Sequence, residues 1–142
     1  MTNPGREPPV AEVLVAPLLK RHVGSPDTDF RVSEHRELPR EGDARGGVPL
    51  HSHRTEDEAW YVLEGTLRFR FGRHEFDAPT GSGVLLPHGV PHTFWNPGPG
   101  TARYLLMVRP KTAALLETLH AGGSYPENRK AVYAAFDVDL LE

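Results

Sequence analysis

A chain of 142 residues is about one domain long, and a formal charge of −3 without any Lys/Arg block offers no phosphate-tracking face, so nucleic acid is not an expected partner. It contains no cysteine, which excludes disulfides, thiolate nucleophiles and thiolate metal ligands together and leaves His, Asp and Glu as side-chain ligands. With 14 glycines, 14 prolines and 38% hydrophobic residues, the composition favours short elements joined by turns around a packed core, and no apolar run approaches the roughly 20 residues of a membrane span.

Residues 1–10 read as a flexible lead without the basic-then-apolar layout of a secretory signal, so a cytoplasmic protein is expected. AEVLVAPLLK (11–20) reads as a first strand, FRVSEHREL (30–38) alternates as a second, and REGDARGGVP (40–49) reads as a loop. EAWYVLEGTLRFRFG (58–72) reads as two strands broken at Glu64 and Gly65. In the second, Leu67, Phe69 and Phe71 alternate with Thr66, Arg68 and Arg70, which gives one buried face. RHEFDAP, GSGVLLPHGVPHTFW and ARYLLMVRP follow as β-rich runs separated by turn residues, and such even spacing points to an all-β sandwich or barrel. KTAALLETLHAGG (111–123) has a helical pattern ending in glycine, and PENRKAVYAAFDVDLLE (126–142) adds a second amphipathic run. The expected organisation is a β-domain over 11–110 with a helical extension over 111–142, packed on it through Leu115, Leu116, Leu119, Val132, Tyr133 and Phe136.

The chemistry concentrates in HSHRTEDEAWYVLEG (51–65). On a strand, residues two apart face the same way, so His51 and His53 project side by side, and a carboxylate from the next strand can complete a chelate. Glu56, Asp57 and Glu58 compete for that role. By itself an H-x-H near an acidic turn is also what a solvated strand end looks like.

Two spacings occur together. Residues 51–65 fit H-x-H-x4-E-x6-G at His51, His53, Glu58 and Gly65, and residues 81–96 fit G-x5-P-x-G-x2-H-x3-N at Gly81, Pro87, Gly89, His92 and Asn96. In this order they resemble the two cupin motifs, with one departure: the glycine usual six places before the first His falls at Arg45, followed by Gly46 and Gly47. The resemblance covers about residues 45–108. It implies a small antiparallel jelly-roll β-barrel in which His51, His53, Glu58 and His92 bind one divalent ion, with Fe, Mn, Ni, Co, Cu and Zn all compatible with nitrogen and oxygen donors. Glu58 is the match to the pattern, while Glu56 and Asp57 are expected in a solvated turn.

Strand parity puts Trp60 and Val62 on the face of Glu58 and Phe94 beside His92; with Phe69 and Met107 these are candidates for an apolar substrate pocket. His35 is a further candidate, as an inward donor or proton shuttle. His22, His74, His88 and His120 have no pairing, and no catalytic side chain beyond the ligands is singled out. The chain looks like the small single-domain cupins likened to quercetin dioxygenases, which implies an oxidoreductase acting on a small aromatic or enolic molecule. A metal-dependent isomerase, decarboxylase or polyketide-cyclase-type lyase, and a non-enzymatic binding module, are the alternatives. A homodimer is expected, since a free sheet edge needs cover.

Overall fold

The computed structural model describes residues 11–16, 18, 20–40, 48–121 and 127–141. The lead at 1–10 and most of the loop at 40–49, including Arg45, Gly46 and Gly47, lie outside these. In order come β1 (His22–Val23), β2 (Arg31–Glu37), β3 (His51–His53), β4 (Glu58–Glu64), β5 (Thr66–Phe71), β6 (His74–Pro79), β7 (Gly83–Leu86), β8 (His92–Trp95) and β9 (Ala102–Val108). They are followed by α1 (Pro110–Ala121), α2 (Arg129–Ala134) and β10 (Val138–Leu140).

Period-two alternation builds the fold. β4 buries Glu58, Trp60 and Val62 and turns Tyr61 outward; β5 buries Leu67 and Phe69; β9 buries Ala102, Tyr104, Leu106 and Val108. The result is two five-stranded antiparallel sheets, β1-β2-β9-β4-β7 and β10-β3-β8-β5-β6. Their inner faces share one core, in which Trp60, Val62 and Leu106 meet Leu67, Phe69 and Phe94. Phe69 is fully buried between aromatic neighbours, so truncation to Ala costs roughly 3–5 kcal/mol. The β4–β5 turn depends on Gly65: its φ is +74°, and a Cβ there would meet the Thr101 carbonyl oxygen at 2.8 Å.

Part of the outer face of the first sheet, away from Glu34, Arg36 and Arg103, is also apolar. Ala59 stands opposite Leu85 on one side and Met107 on the other, Met107 stands opposite Val32, and Tyr61 opposite Leu105.

Two expectations need correction. Residues 11–16 belong to no strand, and Val13 and Val15 are 84% and 79% exposed. An apolar β-branched run becomes a strand only against a partner edge, and at the β2 edge that place is taken by His22–Val23. The second tail run is helical only over Arg129–Ala134. Asp137 then adopts φ +61°, and the chain returns as β10, whose Val138 and Leu140 alternate around Asp139 and pair with β3. That pairing covers an edge that β3 would otherwise leave open. Leu115, Tyr133, Val138 and Leu140 form a second core with Leu119, Val132 and Phe136, while Leu116 packs against the main core. Among the described residues no helix is long and apolar enough to cross a membrane.

Candidate metal centre

β3 has a burial pattern in which His51 and His53 face inward and Ser52 does not. His92, the first residue of β8, stands directly opposite His51 in register, which places it on the same face. Glu58, the first residue of β4, reaches the same point from the facing sheet. All four are buried, at 7%, 4%, 1% and 7% exposure for His51, His53, His92 and Glu58. One ligand atom from each lies within 4.8 Å of all the others. Two ligands each about 2.1 Å from an ion are at most about 4.2 Å apart, so the cluster is already close to the span a single ion demands.

The hydrogen bonds behind the rings settle their tautomers. His51 Nδ1 is 2.7 Å from the Pro49 carbonyl and His92 Nδ1 is 2.9 Å from the Val90 carbonyl; a carbonyl only accepts, so both Nδ1 atoms carry the proton. The Thr112 hydroxyl donates to Glu56 Oε1 at 2.9 Å and therefore accepts from His53 Nδ1, 3.1 Å away. Each imidazole thus presents an unprotonated Nε2 to the centre, which is how histidine ligands are held by their surroundings. His53 Nε2 and His92 Nε2 are buried without a hydrogen-bond partner. His53 Nε2 nevertheless stands 2.6 Å from Glu58 Oε1, and His92 Nε2 stands 3.8 Å from Glu58 Oε2. A lone pair facing a carboxylate oxygen at such range repels it unless a cation lies between them, so this donor set fits a metal ion.

Burial alone would raise the Glu58 carboxyl; positive charge or N–H donation at His53 and His92 outweighs it and holds the group well below the ordinary carboxylate range, and with both rings neutral that charge is what a bound cation would supply. Burial first, and His92 second, lowers His51 to about 3, so its ring is neutral and ready to ligate at neutral pH. Three neutral imidazoles and one carboxylate leave a +1 centre when a divalent ion is bound.

Glu56 departs from the sequence reading. Asp57 is exposed as expected and bonds to the His88 backbone and ring, but Glu56 is only 7% exposed. Its carboxylate accepts from Lys111 N–H at 3.0 Å and Thr112 N–H at 2.7 Å, closing the N-terminus of α1. Through Thr112 the same carboxylate orients His53. Tyr133 of α2 packs edge-on against His51 with ring centroids 6.4 Å apart. Sequence reasoning missed Glu56, Thr112 and Tyr133 as neighbours of the centre because their links span more than 50 residues and follow no local period.

The pocket candidates separate. Trp60 lies beside His92 at 6.2 Å between ring centroids and packs on Phe69 and Phe94, and its buried indole N–H has no hydrogen-bond partner. Val62 and Phe69 are fully buried and serve as core. Phe94 joins Trp60 to Tyr104. Met107 is on the opposite face of β9 from Tyr104 and Leu106, so it lies outside the centre; strand parity, counted from Ala102, reverses the expectation. His35 does share the inner face, stacked on Tyr104, but its ring bonds to Ser33 and not to a ligand.

A family profile described as a cupin domain matches residues 42–108. Among solved structures, a sugar phosphate isomerase of the cupin superfamily from Silicibacter pomeroyi is 25% identical with a TM-score of 0.50, covering 58% of this chain and 51% of its own. The protein TT1209 from Thermus thermophilus is 23% identical with a TM-score of 0.50, over 64% of this chain and 85% of its own. A Klebsiella pneumoniae protein with a double-stranded β-helix domain is 20% identical at a TM-score of 0.50, over 58% and 64%. The chain spans about half the length of the isomerase it matches. No curated protein matches it.

Proposed function

We propose that this chain, which belongs to the cupin superfamily, is a mononuclear metal-dependent oxidoreductase of the dioxygenase type acting on a small aromatic or enolic molecule. In this reading the two sheets form the family's jelly roll, and His51, His53, Glu58 and His92 hold one divalent ion. The single observation that carries it is the set of three imidazoles, each anchored at Nδ1, converging with Glu58 on one point. When bound, the ion supplies Lewis acidity and, if it is Fe, Mn, Ni, Co or Cu, accessible redox states. Trp60 and Phe94 keep water from that point, and the Trp60 indole N–H, lacking an acceptor, is available to donate to a substrate oxygen. The protein is cytoplasmic and works as a homodimer, with the apolar part of the outer face of the first sheet covered by a second copy.

A metal-dependent isomerase or lyase is the second reading, and the resemblance to the Silicibacter pomeroyi sugar phosphate isomerase supports it. Protein loaded in turn with ferrous, manganese, nickel or zinc ions, and followed for oxygen uptake with a flavonol or an acidic β-diketone, separates the two. Turnover confined to redox-active ions supports the dioxygenase; equal turnover with zinc and no oxygen uptake replaces it with the isomerase or lyase.

A further inference from the structure

A cavity of about 560 Å³ lies along the edge of β2, with Arg31, Ser33 and His35 from its inner face and Glu34 and Arg36 from its outer face, beside helix α1 and the segment Lys20–His22, and none of the four clustered ligands lines it. Its size is ordinary for a small-molecule site, which runs from roughly 300 to 1,000 Å³. The walls are not ordinary for a chain of net negative charge: they carry four Lys/Arg side chains and three histidines against two carboxylates.

The two carboxylates offset only part of this set. Glu34 accepts from Arg103, a residue outside the cavity, at 3.0 Å. Glu117 bonds to Arg31 at 2.7 Å but is itself 64% exposed, where an ion pair is well screened. Arg31 has an 11% exposed side chain and a buried Nε without an acceptor, so its charge is under-compensated. Lys20 and Arg36, on the exposed rim, have no ion-pair partner among the described residues. His35 faces this excess directly: burial first, then His120 and Arg31, lowers its proton affinity. A half-enclosed space lined this way focuses a positive potential on whatever enters it.

We propose that this cavity binds the acidic group, carboxylate or phosphate, of a small organic anion through Arg31 and the Lys20–Arg36 rim, with Ser33 and His120 as additional donors. Guanidinium groups suit both acids because their N–H fork matches two oxygens at once. The site is not remote from the metal centre. Thr112, Leu116 and His120 recur at four-residue spacing along one face of α1; Thr112 bonds to His53, and Leu116 and His120 line the cavity. At about 1.5 Å per residue the cavity begins roughly 6 Å along the helix from Thr112 and extends to roughly 12 Å. Binding of an anion there requires no metal.

Calorimetric titration of chelator-treated, metal-free protein with inorganic phosphate, glycerol phosphate, succinate and benzoate tests this. Saturable millimolar or tighter binding by wild type is expected, weakened by about tenfold or more in Arg31→Met, while Arg70→Ala, on the outer face of the other sheet, binds as wild type. Because Arg31 is largely buried, Lys20→Ser/Arg36→Ser on the exposed rim provides a second variant, and it too must weaken binding if the proposal holds. Binding of phosphates alone, or of carboxylates alone, supports the site and selects its ligand class. Absence of binding by wild type to all four probes overturns the proposal, as does binding unchanged in the rim variant or in a folded Arg31→Met protein.

Discussion

Replacing Thr112 by Val keeps the shape of a side chain that is 3% exposed and removes one hydroxyl, which donates to Glu56 and accepts from His53 Nδ1–H. Glu56 keeps its two backbone donors from Lys111 and Thr112, so α1 stays capped. Loss of a bond to a charged acceptor, with a buried imidazole N–H left unpaired, costs the metal-free protein about 2–4 kcal/mol. For a chain of this size that lowers Tm by roughly 5–15 °C. The effect on the metal centre is separate. A His53 ring no longer held at Nδ1 is free to change tautomer or rotate, and loss of such a support typically weakens metal binding about 10 to 100-fold. The assay is a competition titration with a chromophoric chelator, using cobalt or zinc, beside a circular-dichroism melt of the metal-free protein. Thr112→Ser, which restores the hydroxyl, should recover most of the affinity, and Asp57→Asn, altering an exposed side chain, should leave it unchanged. Wild-type metal affinity in a folded Thr112→Val protein would refute the argument that α1 orients His53.

Other consequences can be measured as directly. Leu115→Ala opens a void in the core shared by α1, α2 and β10 and should cost about 2–5 kcal/mol by urea denaturation; a loss below about 1 kcal/mol would contradict the packing described. Removal of residues 111–142 takes away β10, the strand paired with His51 and His53, as well as Thr112, so it should lower both melting temperature and metal affinity; a truncated protein matching the full chain in both would refute that role. In metal-free protein His51 is lowered to about 3 and His35 is lowered too, whereas in the unfolded chain both titrate near 6.5. Between those values the unfolded chain binds more protons, so stability is full above about pH 6.5 and falls as pH falls; a urea midpoint as high at pH 5 as at pH 7.5 would be inconsistent with neutral buried imidazoles. Leu85, 66% exposed on the apolar part of the outer face, should matter to self-association, and Leu85→Glu should shift sedimentation from dimer toward monomer; an unchanged profile would place the contact elsewhere.

The parts of this protein that sequence conveys are those that follow a local rule. His51 and His53 share a face because a strand repeats every two residues, and the burial of Leu67 and Phe69 obeys the same parity. Met107 was misplaced because parity is meaningful only once the strand's own register is known, and β9 begins its inward count at Ala102. The run at 11–20 and the tail strand at Val138–Leu140 show the opposite failures. The first has the composition of a strand, yet its described part joins no strand, and the second is too short to announce itself but is fixed by the open edge of β3. Glu56 reads in sequence as one of two solvated acids, with Asp57, because nothing near it in sequence reveals that an α-helix begins against it 55 residues later. The cationic cavity escaped notice for a related reason: Lys20, Arg31, Arg36 and His120 come from three separate elements and form no block along the chain.

The central claim, that four buried side chains form one metal centre, is tested most directly by counting ions. Protein purified without a chelating tag, stripped, and titrated with cobalt should take up one equivalent per chain with the absorption of a nitrogen- and oxygen-ligated ion. His51→Ala, His53→Ala, Glu58→Ala and His92→Ala should each abolish that tight equivalent, while His74→Ala and His88→Ala should leave it intact. Failure of the wild-type chain to bind a stoichiometric ion, or retention of the tight equivalent by folded His92→Ala, would contradict the account.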